Sequence, residues 1–246
     1  YNFHDCPQGR SYTIAPAFFG KAYGSDMMYA ARKQQLDYSG NNASEVYDAL
    51  WYSGDSAASL NDLPHSFSSK GTESFVMRSS YTQMGDTTLL AAHGGPVFAY
   101  HSHADAGSFV FDSKGKRWAC DLGGEDYNVQ RDGSEGFYSS YRRRAEAHNV
   151  IVINPNTDSS DGGQLDNAFV PLVDFKSGTQ GSQAVYDMTD AYGSYVGDYK
   201  RSFFMDSDEE SVIVQDRLSL KAESEVNWFM TTDADVLECG NGLIRL

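Results

Sequence analysis

Basic residues are scarce in this sequence. Nineteen Lys and Arg stand against 34 Asp and Glu, a formal charge of −15. That excludes a protein that coats nucleic acid, which needs a basic face. Proline is sparse, with six residues, and cysteine sparser, with three. Cys6, Cys120 and Cys239 are far apart and odd in number, with no Cys-x-x-Cys pair. They make no disulfide framework and are expected to be free buried thiols. No apolar run approaches the roughly 18–20 residues of a membrane-spanning helix. The opening residues, Tyr1 to Arg10, lack an initiator Met and the charged-then-apolar order of a leader. Gly242 to Leu246 read as the start of a strand with no partner after it. Both ends are therefore expected to be cuts within a longer protein, with the sandwich described below truncated at its C-terminus.

Aromatic residues and glycine are abundant. Sixteen Tyr, 14 Phe and 23 Gly, with 40% hydrophobic residues, indicate a packed, turn-rich and mostly β protein. Two helices are expected near the front. Ser25-Asp26 caps Met27 to Leu36, with Arg32 and Lys33 suited to its C-terminal end, and Ser44 caps Glu45 to Tyr52 before Gly54. Gly54 to Gly71 is polar and broken and reads as a linker.

From Glu73 onward the hydrophobic period is two. The runs are Ser74–Arg78, Thr87–Ala92, Gly107–Asp112, Arg117–Asp121, Val150–Asn154, Val170–Phe175, Gln183–Met188, Tyr199–Met205, Ser211–Asp216 and Val226–Thr231. Turn residues such as Ser113-Lys114-Gly115-Lys116 separate them. Ten or more strands with short turns and no helices between them indicate an antiparallel sandwich or barrel. Lys114, Lys116 and Arg117 are expected on a solvent-facing hairpin.

Chemistry-bearing residues gather in three places. Tyr100-His101-Ser102-His103-Ala104-Asp105-Ala106-Gly107 is the first. If extended, it places His101 and His103 on one face, about 6.6 Å apart along the strand. Trp118-Ala-Cys-Asp121-Leu-Gly-Gly124 ends a strand on an acid. Arg144-Ala-Glu-Ala-His148-Asn149 enters a strand on an imidazole. A divalent metal such as zinc takes neutral imidazoles and a carboxylate, so His103, Asp121 and His148 form a candidate ligand set, one from each region. Each residue also has an ordinary structural reading, as a hydrogen-bonded histidine or a turn-capping aspartate. The acidic loop Asp158 to Asp166 lacks the full pattern of an EF-hand and its closing glutamate, so calcium is not expected.

The ordered set His101-Ser-His103-Ala-Asp105-Ala-Gly107-Ser108-Phe109, Gly115, Cys120-Asp121-Leu-Gly123, Tyr127 and Ala147-His148-Asn149-Val150 resembles the heparinase II/III-like polysaccharide lyases. So do Tyr199-Lys-Arg201-Ser-Phe203 and Val212 to Arg217. Asn2-Phe3-His4-Asp5 and the helices after it are similar to the end of that family's helical toroid. The resemblance covers most of the chain from about residue 70. It implies a mainly β chain: a large antiparallel β-sandwich (supersandwich) preceded by a short helical remnant of an α/α toroid. Residues 1–70 would be the end of the toroid plus linker, and 71–246 the sandwich.

In function, the resemblance implies cleavage of an acidic, uronate-containing glycan by β-elimination. Heparin, heparan sulfate, alginate and hyaluronate all fit that scheme. By the resemblance, His103, Asp121 and His148 hold a structural zinc near the cleft, and His101 lines the active site. Arg144 and Asn149 are expected to bind substrate. Tyr141-Arg142-Arg143-Arg144 is the densest basic run in a chain whose mean field repels a polyanion, and Arg forks pair well with carboxylate or sulfate. The catalytic Tyr and a further His of the family lie in the toroid, so this chain alone is expected to be inactive. The partner is an acidic poly- or oligosaccharide, with no nucleic acid and no membrane span. The location expected from that substrate class is periplasmic or secreted. Two rivals remain: a non-catalytic carbohydrate-binding sandwich, whose Tyr and Trp stack on sugars, and a cupin-type metal enzyme.

Overall fold

The computed structural model describes residues 3, 12–39, 45–54, 56–81, 85–97, 101–126, 137–156, 161, 163–206, 208 and 211–246. They fall into two compact units. Residues 9–65 with 80–82 form a helical unit, and residues 1–8, 66–79 and 83–246 form a β unit.

The helical unit holds α1 (Ala15–Tyr23), α2 (Asp26–Ser39) and α3 (Asp48–Trp51). Pro16 sits in the first turn of α1, where its missing N–H costs nothing, and Gly24 ends that helix at φ +61°. The α2 helix outruns the expected 27–36, and its N-terminal Ser25 Oγ accepts the Met28 N–H at 3.4 Å. Arg32 therefore lies in mid-helix rather than at an end. It is fully buried and forks onto Asp48, with Nε to Oδ1 at 2.8 Å and Nη2 to Oδ2 at 2.6 Å. The helix expected over 45–52 shrinks to four residues, because Asp48 is committed to Arg32 and also accepts the Glu45 N–H. The expected cap Ser44 lies outside the described residues. The α1 helix was not anticipated; its internal Gly20 is what admits the Tyr29 ring, which a Cβ there would meet at 2.7 Å.

The β unit begins earlier than the expected boundary at residue 71. Its strands are β1 (Ser66–Ser69), β2 (Ser74–Arg78), β3 (Leu89–His93), β4 (Gly95–Pro96), β5 (Phe109–Ser113), β6 (Lys116–Ala119), β7 (Ile151–Ile153) and β8 (Phe169–Val170). Then come β9 (Leu172–Gly178), β10 (Gly181–Asp187), β11 (Val196–Asp206), β12 (Val212–Leu220), β13 (Val226–Trp228), β14 (Glu238–Gly240) and β15 (Leu243–Arg245). One sheet runs β1-β2-β3-β5-β6 and another β12-β11-β10-β9, both antiparallel, and three two-stranded pairs (β13-β7, β14-β15, β4-β8) complete the unit.

The two larger sheets share one core. Phe75, Met77 and Leu90 from the first pack with Ala184, Tyr186, Phe203 and Met205 from the second. Phe203 centres the aromatic contacts, 5.1 Å from Phe75 and 5.8 Å from Phe109 between ring centroids. Offset and edge-on aromatic packing of this kind adds to simple burial. The β11 strand shows the period-two burial that its sequence predicts, while every residue of β3 is buried. The β5–β6 hairpin turns on Lys114 (φ +51°) and Gly115 (φ +71°), the two left-handed residues of a tight hairpin turn.

Three expectations change. Ser66–Ser69 is not linker but pairs with β2, from Ser66↔Met77 to Ser69↔Ser74. The final segment has a partner before it: Leu243–Arg245 pairs with Glu238–Gly240. Between β6 and β7 the described residues include three single 3₁₀ turns, Phe137–Ser139, Tyr141–Arg143 and Ala145–Ala147, so the strands are not uninterrupted. Cys120 is buried and free as expected, whereas Cys239 is free but exposed. Cys6, His4, Asp5, Tyr127 and residues 158–160 and 162 of the loop considered for calcium lie outside the described residues.

Candidate active site and metal centre

The site is built on a buried arginine. In the β11–β12 register Arg201 faces Asp216. Its Nε donates to Asp216 Oδ1 (2.7 Å) and its Nη2 to Oδ2 (2.8 Å), while Tyr199 Oη and Trp228 Nε1 donate to the same carboxylate at 2.7 and 3.0 Å. Burial works against the Asp216 charge, but the Arg201 fork outweighs it and holds this carboxyl below its ordinary range. The remaining Arg201 donor, Nη1, reaches two backbone carbonyls: Gly107 at 3.0 Å and Asn149 at 2.7 Å. One side chain thus fastens the His101–Gly107 loop to the His148–Asn149 turn.

That loop is not a strand. His101 has φ +63° and Gly107 φ +82°, so the chain turns twice. Gly107 is required, since a Cβ there would meet Met188 Cε at 2.6 Å. Gln164 copies a strand partner, accepting the Ala106 N–H on Oε1 (3.1 Å) and donating Nε2 to the Ala106 carbonyl (2.9 Å). The loop also closes on itself through Ser108 N–H to Asp105 O, and on β3 through Gly107 N–H to His93 O. The expectation that His101 and His103 share one face of a strand is therefore corrected. His101 is exposed, while His103 is buried. A non-glycine residue at positive φ is uncommon, and such positions concentrate at functional sites.

His103 points into a cluster with Asp105 and His148. Ligand-type atoms of these three residues lie within 4.8 Å of one another, and all three residues are buried. The His103 and His148 rings are 5.3 Å apart. Asp121 joins through His148, its Oδ2 lying 2.9 Å from His148 Nδ1, while its Oδ1 accepts the Gly123 N–H. The structure therefore brings His103 and His148 together and sets Asp121 against His148. Asp105, read from sequence only as part of a motif, is the carboxylate inside the three-residue group.

The donor set suits a divalent metal. His148 Nε2 lies 2.9 Å from the Arg142 carbonyl, which can only accept, so Nε2 carries the proton. In a neutral imidazole Nδ1 then presents a lone pair to the Asp121 carboxylate, and only a proton or a cation between them makes that contact favourable. Burial disfavours charge on His148, but the Asp121 hydrogen bond and the nearby Asp105 and Asp121 charges raise its pKa above the ordinary value. The 2.9 Å separation is close to the ligand–ligand edge of a tetrahedral zinc site, about 3.3 Å for bonds near 2.0 Å.

The two expected substrate contacts are placed differently. Asn149 is fully buried. Its Nδ2 donates to Phe109 O (2.6 Å) and Cys120 O (2.9 Å), and its Oδ1 accepts the Thr231 N–H (2.7 Å). Both amide hydrogens and the oxygen are committed to the backbone, so in this arrangement Asn149 stitches strands from beneath the site. Arg144 forks onto Glu146, with Nε at 3.2 Å and Nη2 at 2.8 Å, and also meets the Asn156 carbonyl. It lines a cavity of about 430 Å³ together with Glu146, Asp161 and Asp166. Arg142, beside it, donates to the Leu122 and Gly124 carbonyls. His93, Arg201, Asp216 and Gln164 were not singled out as site residues from sequence. Arg201 and Asp216 stood in the sequence only within the motifs Tyr199–Phe203 and Val212–Arg217, and their pairing comes from the β11–β12 register.

The described residues build an antiparallel sandwich whose loop carries an exposed histidine, His101, two residues from His103 of a buried imidazole–carboxylate cluster. The chain belongs to the heparinase II/III-like polysaccharide lyase family: the family model described as "Heparinase II/III-like, C-terminal" matches residues 65–243. Among solved structures it is similar to the heparinase III BT4657 gene product, with TM-score 0.60 and 18% identity over 96% of this chain and 32% of that one. It is also similar to the heparan sulfate lyase HepC from Pedobacter heparinus, with TM-score 0.56 and 15% identity over 87% of this chain and 31% of that one. A further heparinase III structure gives TM-score 0.52 at 17% identity, over 94% of this chain and 32% of that one. At these identities the likeness establishes the fold, and this chain spans about a third of those structures' length. Comparison with curated protein sequences returned no match. Among the described residues no helix is long and apolar enough to cross a membrane.

Proposed function

We propose that this chain is the C-terminal part of a lyase that cleaves an acidic, uronate-containing polysaccharide by β-elimination. His101 faces the sugar, and His103, Asp121 and His148 hold a zinc beneath it. The observation that carries the reading is the division of the His-x-His pair: His101 outward on a left-handed residue, His103 inward in the cluster. The reaction removes the C5 proton of a uronate and expels the C4 glycosidic oxygen. It needs a group to polarise the sugar carboxylate, a base, and an acid for the leaving oxygen. An exposed imidazole can donate a hydrogen bond to the carboxylate or exchange a proton at C5 or at the leaving oxygen.

The other residues act by position. Arg201 and Gln164 hold the His101 loop, and Asn149 ties it to the turn that carries His148. A zinc bound by His103, Asp121 and His148 would supply a structural crosslink between three loops. Arg144 contacts substrate by exchanging Glu146 for a sugar carboxylate. The remaining proton-transfer groups belong to the toroid part, so this chain alone turns over no substrate. A polymeric glycan substrate places the protein in the periplasm or outside the cell.

The test is His101→Ala in a protein that includes the toroid part, assayed by the ultraviolet absorbance of the unsaturated uronate product. We expect turnover to fall about 100-fold or more, with zinc content and melting temperature unchanged. Undiminished turnover of an acidic glycan would instead make the sandwich a non-catalytic binding module.

A further inference from the structure

We propose that Asp105 is a direct metal ligand, so that the centre is a closed four-coordinate site of His103, Asp105, Asp121 and His148 with no position left for water or substrate. This rests on the reading that the cluster binds zinc and adds to it a ligand and a coordination state. Three observations lead there. First, a ligand oxygen of Asp105 lies within 4.8 Å of ligand nitrogens of both His103 and His148; Asp121 stands outside that mutually close group and reaches it through its 2.9 Å contact with His148. Second, relative exposures are 3% for His103, 0% for Asp105, 1% for Asp121 and 0% for His148, so the side chains are sealed from solvent. Catalytic zinc sites keep an open position that solvent or substrate reaches, whereas structural sites fill four positions with protein. Third, the charges close. Two neutral imidazoles, two carboxylates and one dication sum to zero, and a buried group of zero net charge avoids the cost of an uncompensated ion.

The backbone supports the same assignment. Asp105 is held by the Ser108 N–H on its own carbonyl, and its Oδ2 lies 3.4 Å from His93 Nε2. His93 in turn places Nδ1 3.2 Å from the Gly94 carbonyl, and its ring stacks obliquely on Phe3 at 4.5 Å. His93 is thereby an orienting partner behind the ligand carboxylate, the position that fixes ligand geometry in metal sites.

The experiment uses the full chain, stripped with a chelator and reloaded with zinc or with cobalt(II) as a spectroscopic probe. Wild type is expected to bind one equivalent, and its cobalt form to show an intense tetrahedral visible band that added azide leaves unchanged. Asp105→Asn is expected to weaken zinc binding by more than about 100-fold, beyond the 10–100-fold typical of an outer-shell partner, and to make the cobalt spectrum respond to azide. An azide-responsive wild-type spectrum, or zinc affinity of Asp105→Asn within threefold of wild type, overturns the four-ligand assignment and leaves the three-ligand centre standing. Failure of wild type to bind any zinc overturns both. The azide titration needs no variant, so a folding defect in Asp105→Asn does not shelter the proposal.

Discussion

Two buried polar networks lie side by side in the β unit, and they balance charge by different means. The first contains its own cation: Arg201 is fully buried, forks onto Asp216, and uses its last donor on the Gly107 and Asn149 carbonyls. The second contains carboxylates and imidazoles, with His148 Nδ1 2.9 Å from Asp121 Oδ2, and under the proposed zinc reading its cation is exchangeable. Asn149 joins them, its carbonyl on Arg201 and its chain neighbour in the cluster. The contrast separates a permanent clamp from a centre whose strength depends on what it binds.

Removing the permanent cation is expected to have the largest effect. Arg201→Met leaves the partly buried Asp216 without its guanidinium partner and should cost about 3 kcal/mol of stability, read as a lowered urea midpoint that zinc does not restore. Removing the exchangeable cation should cost no more and be reversible. Chelation should lower stability by about 3 kcal/mol relative to protein with free zinc at a hundredfold excess over its Kd, and adding zinc should recover it. If chelation left the melting temperature unmoved, the second network would need no metal and the contrast would collapse.

Breaking the link between the networks comes next. Asn149→Ala orphans the Phe109 and Cys120 carbonyls and the Thr231 N–H, for a loss of about 2 kcal/mol. It should also weaken zinc binding, because the His148 turn loosens; an unchanged zinc affinity would show that the two networks are independent.

Acid should act on the first network later than on ordinary carboxylates. The Asp216 pKa is depressed in the folded state, so its contribution is fully present above the unfolded carboxylate value, about 3.9. It is lost as pH falls below that value through the folded pKa. Wild type and Asp216→Asn should therefore keep a constant stability difference from pH 7 to 5 and converge in stronger acid. Convergence already above pH 5 would contradict the assigned direction. The smallest effect belongs to the surface: Arg117→Ala removes a half-exposed pair with Asp112 and should cost less than about 1 kcal/mol. A larger loss there would mean that surface pairs rival the buried clamp.

Much of the fold was legible because its strands obey period two. The runs at Ser74–Arg78 and Gln183–Met188 fall on β2 and β10 to within two residues at either end, and Lys114-Gly115 marks its hairpin. The polar Ser66–Ser69 was not legible, since its place in the sheet comes from backbone pairing with β2 rather than from its side chains. The α1 helix escaped because its N-cap position is Ile14, whose side chain cannot cap; Thr13 Oγ1, one residue earlier, accepts the Ala15 N–H instead. In the site, His101, His103, Asp121 and His148 stood out as motif residues. Their directions did not, because an extended reading of 101–107 puts both histidines on one face, and the left-handed backbone at His101 breaks that alternation. Arg144 and Asn149 have the chemistry of substrate ligands, yet Glu146 and three backbone groups already engage them.

Alternating side chains and turn residues act through neighbours a few positions apart, so a sandwich with a helical lead-in could be read along the chain. Which carboxylate enters the cluster, and which arginine secures it, depends on atoms brought together from as far as 94 residues apart, as Arg201 and Gly107 are. Those pairings arise only when two sheets pack and exclude water, since it is burial that makes a charge seek a partner and a glycine indispensable.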